Sequence, residues 1–120
     1  IFPAPGTARW TALRRQALGD GIMDAAVLTR YEQGVRPKEL RWDAWVDGQF
    51  LKVRTALDAL EREDLAGAFD IGAISIACAL GYLDLRFAGE GWRTSRPRLA
   101  AWLQSVSQRP SLTATMPPTA

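Results

Sequence analysis

The apolar positions of this chain recur at helical intervals, broken only where glycine and proline gather. From Thr7 onward, Trp10, Leu13, Ala17, Leu18, Ile22, Ala25, Leu28 and Tyr31 return every three or four residues, the spacing that aligns side chains along one side of an α-helix. The pattern predicts a long first helix over 7–33, with Thr7 as its N-cap. Gly34 and Pro37 end it, because glycine tolerates the left-handed cap and proline cannot continue the helix. Gly19 and Gly21 lie inside it, each weakening the helix by roughly 1 kcal/mol relative to alanine. Two such residues point to close packing against another helix.

A second helix is expected from Lys38 or Glu39 to Arg62, with Trp42, Trp45, Val46, Gln49, Phe50, Val53, Leu57 and Leu60 as its stripe. Residues 65–68, including Gly67, form a short connection. A third helix over 70–87 is apolar almost all round, from Ile71 and Ile74 through Ile76, Cys78 and Leu80 to Leu83, and should be the buried central helix. Two glycines and Trp92 make 88–94 a loop, after which Ser95 caps a shorter helix with Pro97 in its first turn. That helix buries Leu99, Trp102, Leu103 and Val106; Arg109-Pro110 closes it, and Ser111 opens a final short turn. Residues 1–6, with two prolines and a glycine, read as a lead-in, and 113–120 as a loose tail. No segment alternates with period two. The fold class is therefore all-α, four main helices plus a short terminal turn, without internal repeats.

With 120 residues, 48% of them hydrophobic, the chain suits one domain around one core. It begins at Ile1 rather than at a methionine, and so reads as a fragment or a processed product. Residues 1–9 lack the basic end and apolar middle of a secretory signal. No run approaches the ~18–20 apolar residues that span a bilayer, so no membrane partner is expected. Cys78 is the only cysteine, which excludes an internal disulfide; set in an apolar helix, it is expected to be a buried, inert thiol. These features together fit a cytoplasmic protein. Net charge is +2, and the basic residues are scattered in small groups such as Arg14-Arg15 and Arg93/Arg96/Arg98. Nucleic-acid binding calls for a denser stripe, so these are read as solvated helix faces and no nucleic-acid partner is expected.

The chain contains no histidine, which removes Ser/His/Asp and Cys/His catalysis and any histidine-bearing metal site; no metal is expected. Asp20 and Asp24 are spaced i, i+4 and share a helix face. They read as a solvated or arginine-paired face; two carboxylates could also suggest glycosidase-type acid–base catalysis, but no recognisable catalytic scaffold accompanies them. Tyr31, at helical spacing, reads as core or rim. Trp42 and Trp45 read as core or as the cover of an interface. Asp70 can accept from the free N–H groups of the central helix, with Phe69 before it and Ile74 at the spacing of a hydrophobic staple.

Three stretches, in this order, resemble the glutathione transferase family. The first is Ala17-Leu18-Gly19-Asp20-Gly21-Ile22-Met23-Asp24-Ala25; the second is Phe69-Asp70-Ile71-Gly72-Ala73-Ile74. The third holds Pro97, Leu99, Trp102, Val106 and Arg109-Pro110-Ser111 at the spacing of the family's penultimate helix. The nearest likeness is to the C-terminal helical domain of bacterial homologues. The central-helix start departs from the family's usual pattern, in which Ser or Thr caps and Asp follows three residues later; here Asp70 caps and Ala73 follows, so the reciprocal half of the capping box is missing.

The resemblance implies an N-terminal thioredoxin-like domain, absent from this chain, whose Tyr, Ser or Cys stabilises the thiolate of glutathione. No catalytic residue is then expected here. It implies glutathione as co-substrate of the full-length protein, with no cofactor bound by this domain alone. It places Asp24 where an acid reaches the glutathione amino group in the neighbouring subunit of a homodimer, and Leu28 and Tyr31 toward the electrophile pocket. A glutathione-transferase-like module without catalysis, used in protein assembly, would carry the same helices.

Overall fold

The structure, a computed structural model, describes residues 1–118. Gly6 turns the lead-in into the first helix, α1 (Thr7–Gly34), with φ at +140°, a backbone conformation that only glycine takes readily. Gly6 is therefore the N-cap in place of the expected Thr7, and no side chain caps this end. The other helices are α2 (Asp43–Glu61), α3 (Ile71–Arg86), α4 (Pro97–Val106) and the short α5 (Pro110–Thr113), with 3-10 turns at Lys38–Leu40 and Ala88–Glu90. No strand forms among the described residues. Four main helices and a short terminal one make the protein all-α. Thr113, expected in the tail, closes α5; the end of that tail, residues 119 and 120, lies outside the described residues.

The second helix starts later than its apolar stripe suggests. Lys38–Leu40 forms a 3-10 turn, and Arg41 and Trp42 are extended before α2 begins at Asp43. The cause is Glu32, buried on α1. One of its carboxylate oxygens accepts from the Trp42 backbone N–H at 3.0 Å, the other from Arg36 Nε at 2.6 Å. That carboxylate fixes the turn between α1 and α2.

α1 packs on α3 at two places where only glycine fits. A Cβ on Gly19 would stand 2.5 Å from Ser75 Oγ and 2.7 Å from the Ser75 carbonyl carbon. A Cβ on Gly72 would stand 2.6 Å from the carbonyl oxygen of Ala12. The close-packing role expected of Gly19 and Gly21 belongs to Gly19 alone, because a Cβ on Gly21 meets nothing within 4 Å. Behind this contact Ile22, Val53, Leu57, Leu60, Ile76, Leu80 and Leu99 form a continuous core drawn from four helices.

α3 is buried along most of its length but not all round. Cys78 is exposed rather than buried, and Ile71, Ile74 and Tyr82 on the same side are only half covered, because α1 and the other helices leave this side of α3 open. At its start, Asp70 Oδ1 accepts from the Ala73 N–H at 3.1 Å, and the Ile1 carbonyl accepts from the Ile71 N–H at 3.0 Å. Phe69 and Ile74 are half buried, and the Arg109 guanidinium lies 4.3 Å from the centre of the Phe69 ring.

The last main helix, α4, takes its cap from another helix. Ser95 was the expected cap, yet Arg96 is the N-cap residue and no local side chain caps it. Glu61, at the end of α2, accepts instead from the Arg98 N–H at 3.0 Å and the Leu99 N–H at 2.7 Å. The two orphan donors of the first turn are thereby satisfied by a carboxylate, which the helix dipole also favours. Arg96 is itself buried and bonds Asp58 on α2. Trp92, buried in the preceding loop, donates from Nε1 to Asp84 at 2.8 Å.

Candidate functional site

The apolar positions of α1 cover a band too wide for its two partners. At ~100° per residue, Trp10, Leu28 and Tyr31 lie on one edge of that band and Ile22 and Ala25 on the other. The inner edge is buried with Ala12, Gly19, Ala26 and Thr29. The outer edge faces solvent: Trp10 is 72% exposed, Leu28 45% and Tyr31 61%. Ala17, Gly21 and Asp24 continue the same exposed column. Asp24, Leu28 and Tyr31, spaced four and three residues apart, therefore share one open helix face. Trp10, Ala17, Leu28 and Tyr31, read from sequence as one stripe with the core residues, belong to this outer column instead.

The helix that carries this face is held firmly. Besides the glycine contacts, Glu63 in the turn after α2 receives Arg14 at 2.6 Å and Arg15 at 2.9 Å. Burial alone would push the Glu63 carboxyl up, but hydrogen bonds and charge from the two guanidiniums outweigh it and hold the group below the usual carboxylate range. Glu32 is likewise held low, chiefly by its bond to Arg36 and then by the Trp42 N–H.

The two acids of the pair behave differently. Asp20 Oδ1 accepts from Ser75 Oγ of α3 at 2.7 Å, while the same hydroxyl lies 3.2 Å from the Gln16 carbonyl. With one proton to give, Ser75 binds Asp20 to the α1–α3 contact. Asp24 is exposed, and the ion pairs among the described residues use other carboxylates. The arginine-paired reading of the pair is thus not what forms, and Asp24 stands as a solvated carboxylate one turn from Leu28. Such a face can receive an ammonium group at Asp24 and an apolar body along Leu28 and Tyr31.

Among the aromatic residues, Trp42 is 65% exposed and Trp45 half buried. Trp102, read as core, is half buried against it. Among the described residues no group of three or more His, Cys, Asp or Glu could hold a metal ion, and no helix is long and apolar enough to cross a membrane. Sequence reading missed two residues that order the molecule, Glu32 and Glu61. Both act through backbone N–H groups far along the chain, and no local spacing announces that.

Residues 43–105 match the family described as Glutathione S-transferase, C-terminal domain. The chain is 36% identical to the uncharacterized GST-like protein YibF of Escherichia coli K12, across 88% of this chain and 54% of that protein. It superposes on a glutathione transferase family member from Pseudomonas fluorescens Pf-5, solved with bound S-(propanoic acid)-glutathione, with a TM-score of 0.94 and 55% identity over 98% of this chain and 62% of that one. A second structure from the same organism, with bound glutathione, gives a TM-score of 0.95 at 55% identity over 98% of this chain and 58% of that one. The chain thus spans about half the length of the curated relative and about three fifths of each solved one.

Proposed function

Because the chain belongs to the glutathione S-transferase family, as its C-terminal helical domain, we propose that it supplies the electrophile-pocket wall and part of the subunit interface of a cytoplasmic, homodimeric glutathione transferase. On this reading residues 1–6 lead in from a thioredoxin-like domain that holds most of the glutathione and the group that activates its thiol. The observation that carries the proposal is the open column Asp24, Leu28, Tyr31 on α1, in a chain 55% identical to relatives solved with glutathione or a glutathione conjugate.

The division of labour follows from the chemistry. The nucleophile is the thiolate, so the reaction needs a group that lowers the thiol pKa. A carboxylate does the opposite, since like charges repel; Asp24 therefore cannot activate the thiol. Its role is a charge-assisted bond to the ammonium group of glutathione, from across the dimer. Leu28 and Tyr31 give the electrophile an apolar wall with one hydroxyl for orientation.

The test is glutathione conjugation to a generic aromatic electrophile, with the full-length protein and with this chain alone. Turnover is expected only from the former. Asp24→Ala should raise the KM for glutathione by about tenfold, the loss of one charged hydrogen bond, and lower kcat less. An unchanged KM would reduce Asp24 to a surface carboxylate. A full-length protein that binds no glutathione would favour the assembly-module reading.

A further inference from the structure

The residues of α3 that the other helices leave open lie in one column. Ile71, Ile74, Cys78, Gly81, Tyr82 and Leu85 return at helical spacing, all half covered except Cys78, which is exposed. The column runs about 21 Å along the helix, and none of its six residues is charged. A helix face that stays in water carries charge, as the open side of α2 does with Asp47, Lys52, Arg54 and Asp58. The polypeptide arrives at the head of this column. The Ile1 carbonyl accepts from the Ile71 N–H at 3.0 Å, Arg9 donates to the Pro3 carbonyl at 3.0 Å, and the Arg9 guanidinium lies 5.7 Å from the centre of the Phe2 ring. The lead-in is thus held on α1 and α3, while the side chains of Ile1 and Phe2 remain exposed.

We propose that this column is the seat of the domain that precedes Ile1, and that Cys78 is a buried thiol of the closed, full-length protein. This surface needs the domain read above as leading into residues 1–6; it does not need the conjugation chemistry. The solved relatives, of which this chain spans 62% and 58%, have room for such a domain. Joined at Ile1, it meets the column at an effective concentration on the order of millimolar, which a second copy in dilute solution does not. A single small molecule would leave most of so long a column in water. The seat also accounts for a central helix that is apolar on every side and yet open on one: the core covers the rest of α3, and the preceding domain covers this side.

The experiment uses the full-length protein. Iodoacetamide alkylation of Cys78, read by peptide mass spectrometry, should be about a hundredfold or more slower in the folded protein than in urea, because the thiol is reached only when the two surfaces part. That protection should persist through about a hundredfold dilution of the protein, since the cover belongs to the same chain. Independently, Tyr82→p-benzoylphenylalanine places a photo-cross-linker in the column, which should join residues ahead of Ile1 within one chain. Alkylation of folded Cys78 as fast as in urea overturns the seat, and so does protection that disappears on dilution. So does a Tyr82 cross-link that forms to a second copy, to residues beyond Ala120, or not at all. Glutathione conjugation by the same protein separates the two readings. A protein that conjugates but leaves Cys78 open loses this interface and keeps the transferase role; one that closes over Cys78 without conjugating does the reverse.

Discussion

Two glycines in one helix, two residues apart, should respond to the same substitution with opposite sign. Gly21→Ala places a methyl group in open space on the outer face of α1. The helix then gains the backbone preference of alanine over glycine, about 0.5–1 kcal/mol. Gly19→Ala gains the same preference but drives its Cβ to 2.5 Å from Ser75 Oγ, 2.7 Å from the Ser75 carbonyl carbon and 2.8 Å from its oxygen. The hydroxyl could rotate away; the backbone atoms cannot. α1 and α3 must therefore separate by several tenths of an ångström, which stretches the Ser75–Asp20 bond and loosens Ile22 and Ala26 from the core. Overpacking of this kind costs about 1–3 kcal/mol, enough to outweigh the propensity gain.

Urea denaturation reads the difference. With a slope of about 2 kcal/mol per molar, Gly19→Ala, net of its propensity gain, should lower the midpoint by roughly 0.3–1 M, and Gly21→Ala should raise it by roughly 0.3–0.5 M, at unchanged slope. Stabilisation by Gly19→Ala would refute the close contact drawn here. Destabilisation by Gly21→Ala would mean that something other than solvent lies against that face.

Asp70→Ala should remove the side-chain cap of α3 and lower stability by about 1 kcal/mol, within roughly 0.5–2, measured by the same denaturation. Glu61→Ala should be worse, about 1–3 kcal/mol, because it strips two backbone donors of α4 of a charged acceptor; a neutral result would mean that water caps α4 equally well. Glu63 sets an acid limb: its carboxyl is held low when folded, so its contribution is complete above the ordinary carboxylate range and lost as pH falls through the lowered value. A denaturation midpoint followed downward from neutral pH should drop less steeply in Glu63→Gln than in the parent, and parallel curves would remove Glu63 from the account.

The order and type of the helices were legible because each rests on local periodicity, helped at some ends by Gly or Pro. Pro97 sat at the first position of α4, by a rule that involves neighbouring residues only; α1 did end at Gly34, but through Val35 in the right-handed region rather than by the expected left-handed glycine cap. The start of α2 and the capping of α4 were not legible, for one shared reason. Glu32 takes the Trp42 N–H ten residues away, and Glu61 takes two N–H groups thirty-seven and thirty-eight residues away. A glutamate at the end of a helix looks the same whether it is solvated or caps a distant partner. Nothing in the local spelling near Ser95 says that its capping role has been taken over.

The candidate site shows the complementary limit. Periodicity located the apolar band of α1 but could not say which edge of it the core would use, since Trp10, Leu28 and Tyr31 are as apolar as Ile22 and Ala25. That choice is made by Gly19 and Gly72, which let α3 approach along one line and leave the other edge bare. The same contact explains why Asp20 and Asp24, a symmetrical pair on paper, part company: Ser75 reaches the carboxylate beside Gly19 and leaves the one a turn further on in water. A long helix packed tightly on one side by glycine thus presents, on the other, an unfilled column of a tryptophan, a leucine, a tyrosine and one free acid. Leaving so much aromatic surface in water gains nothing for this domain by itself, and burying it against an amine-bearing substrate or another chain would. The packing of this domain therefore does not account for the outer column, and the proposed substrate contact rests there.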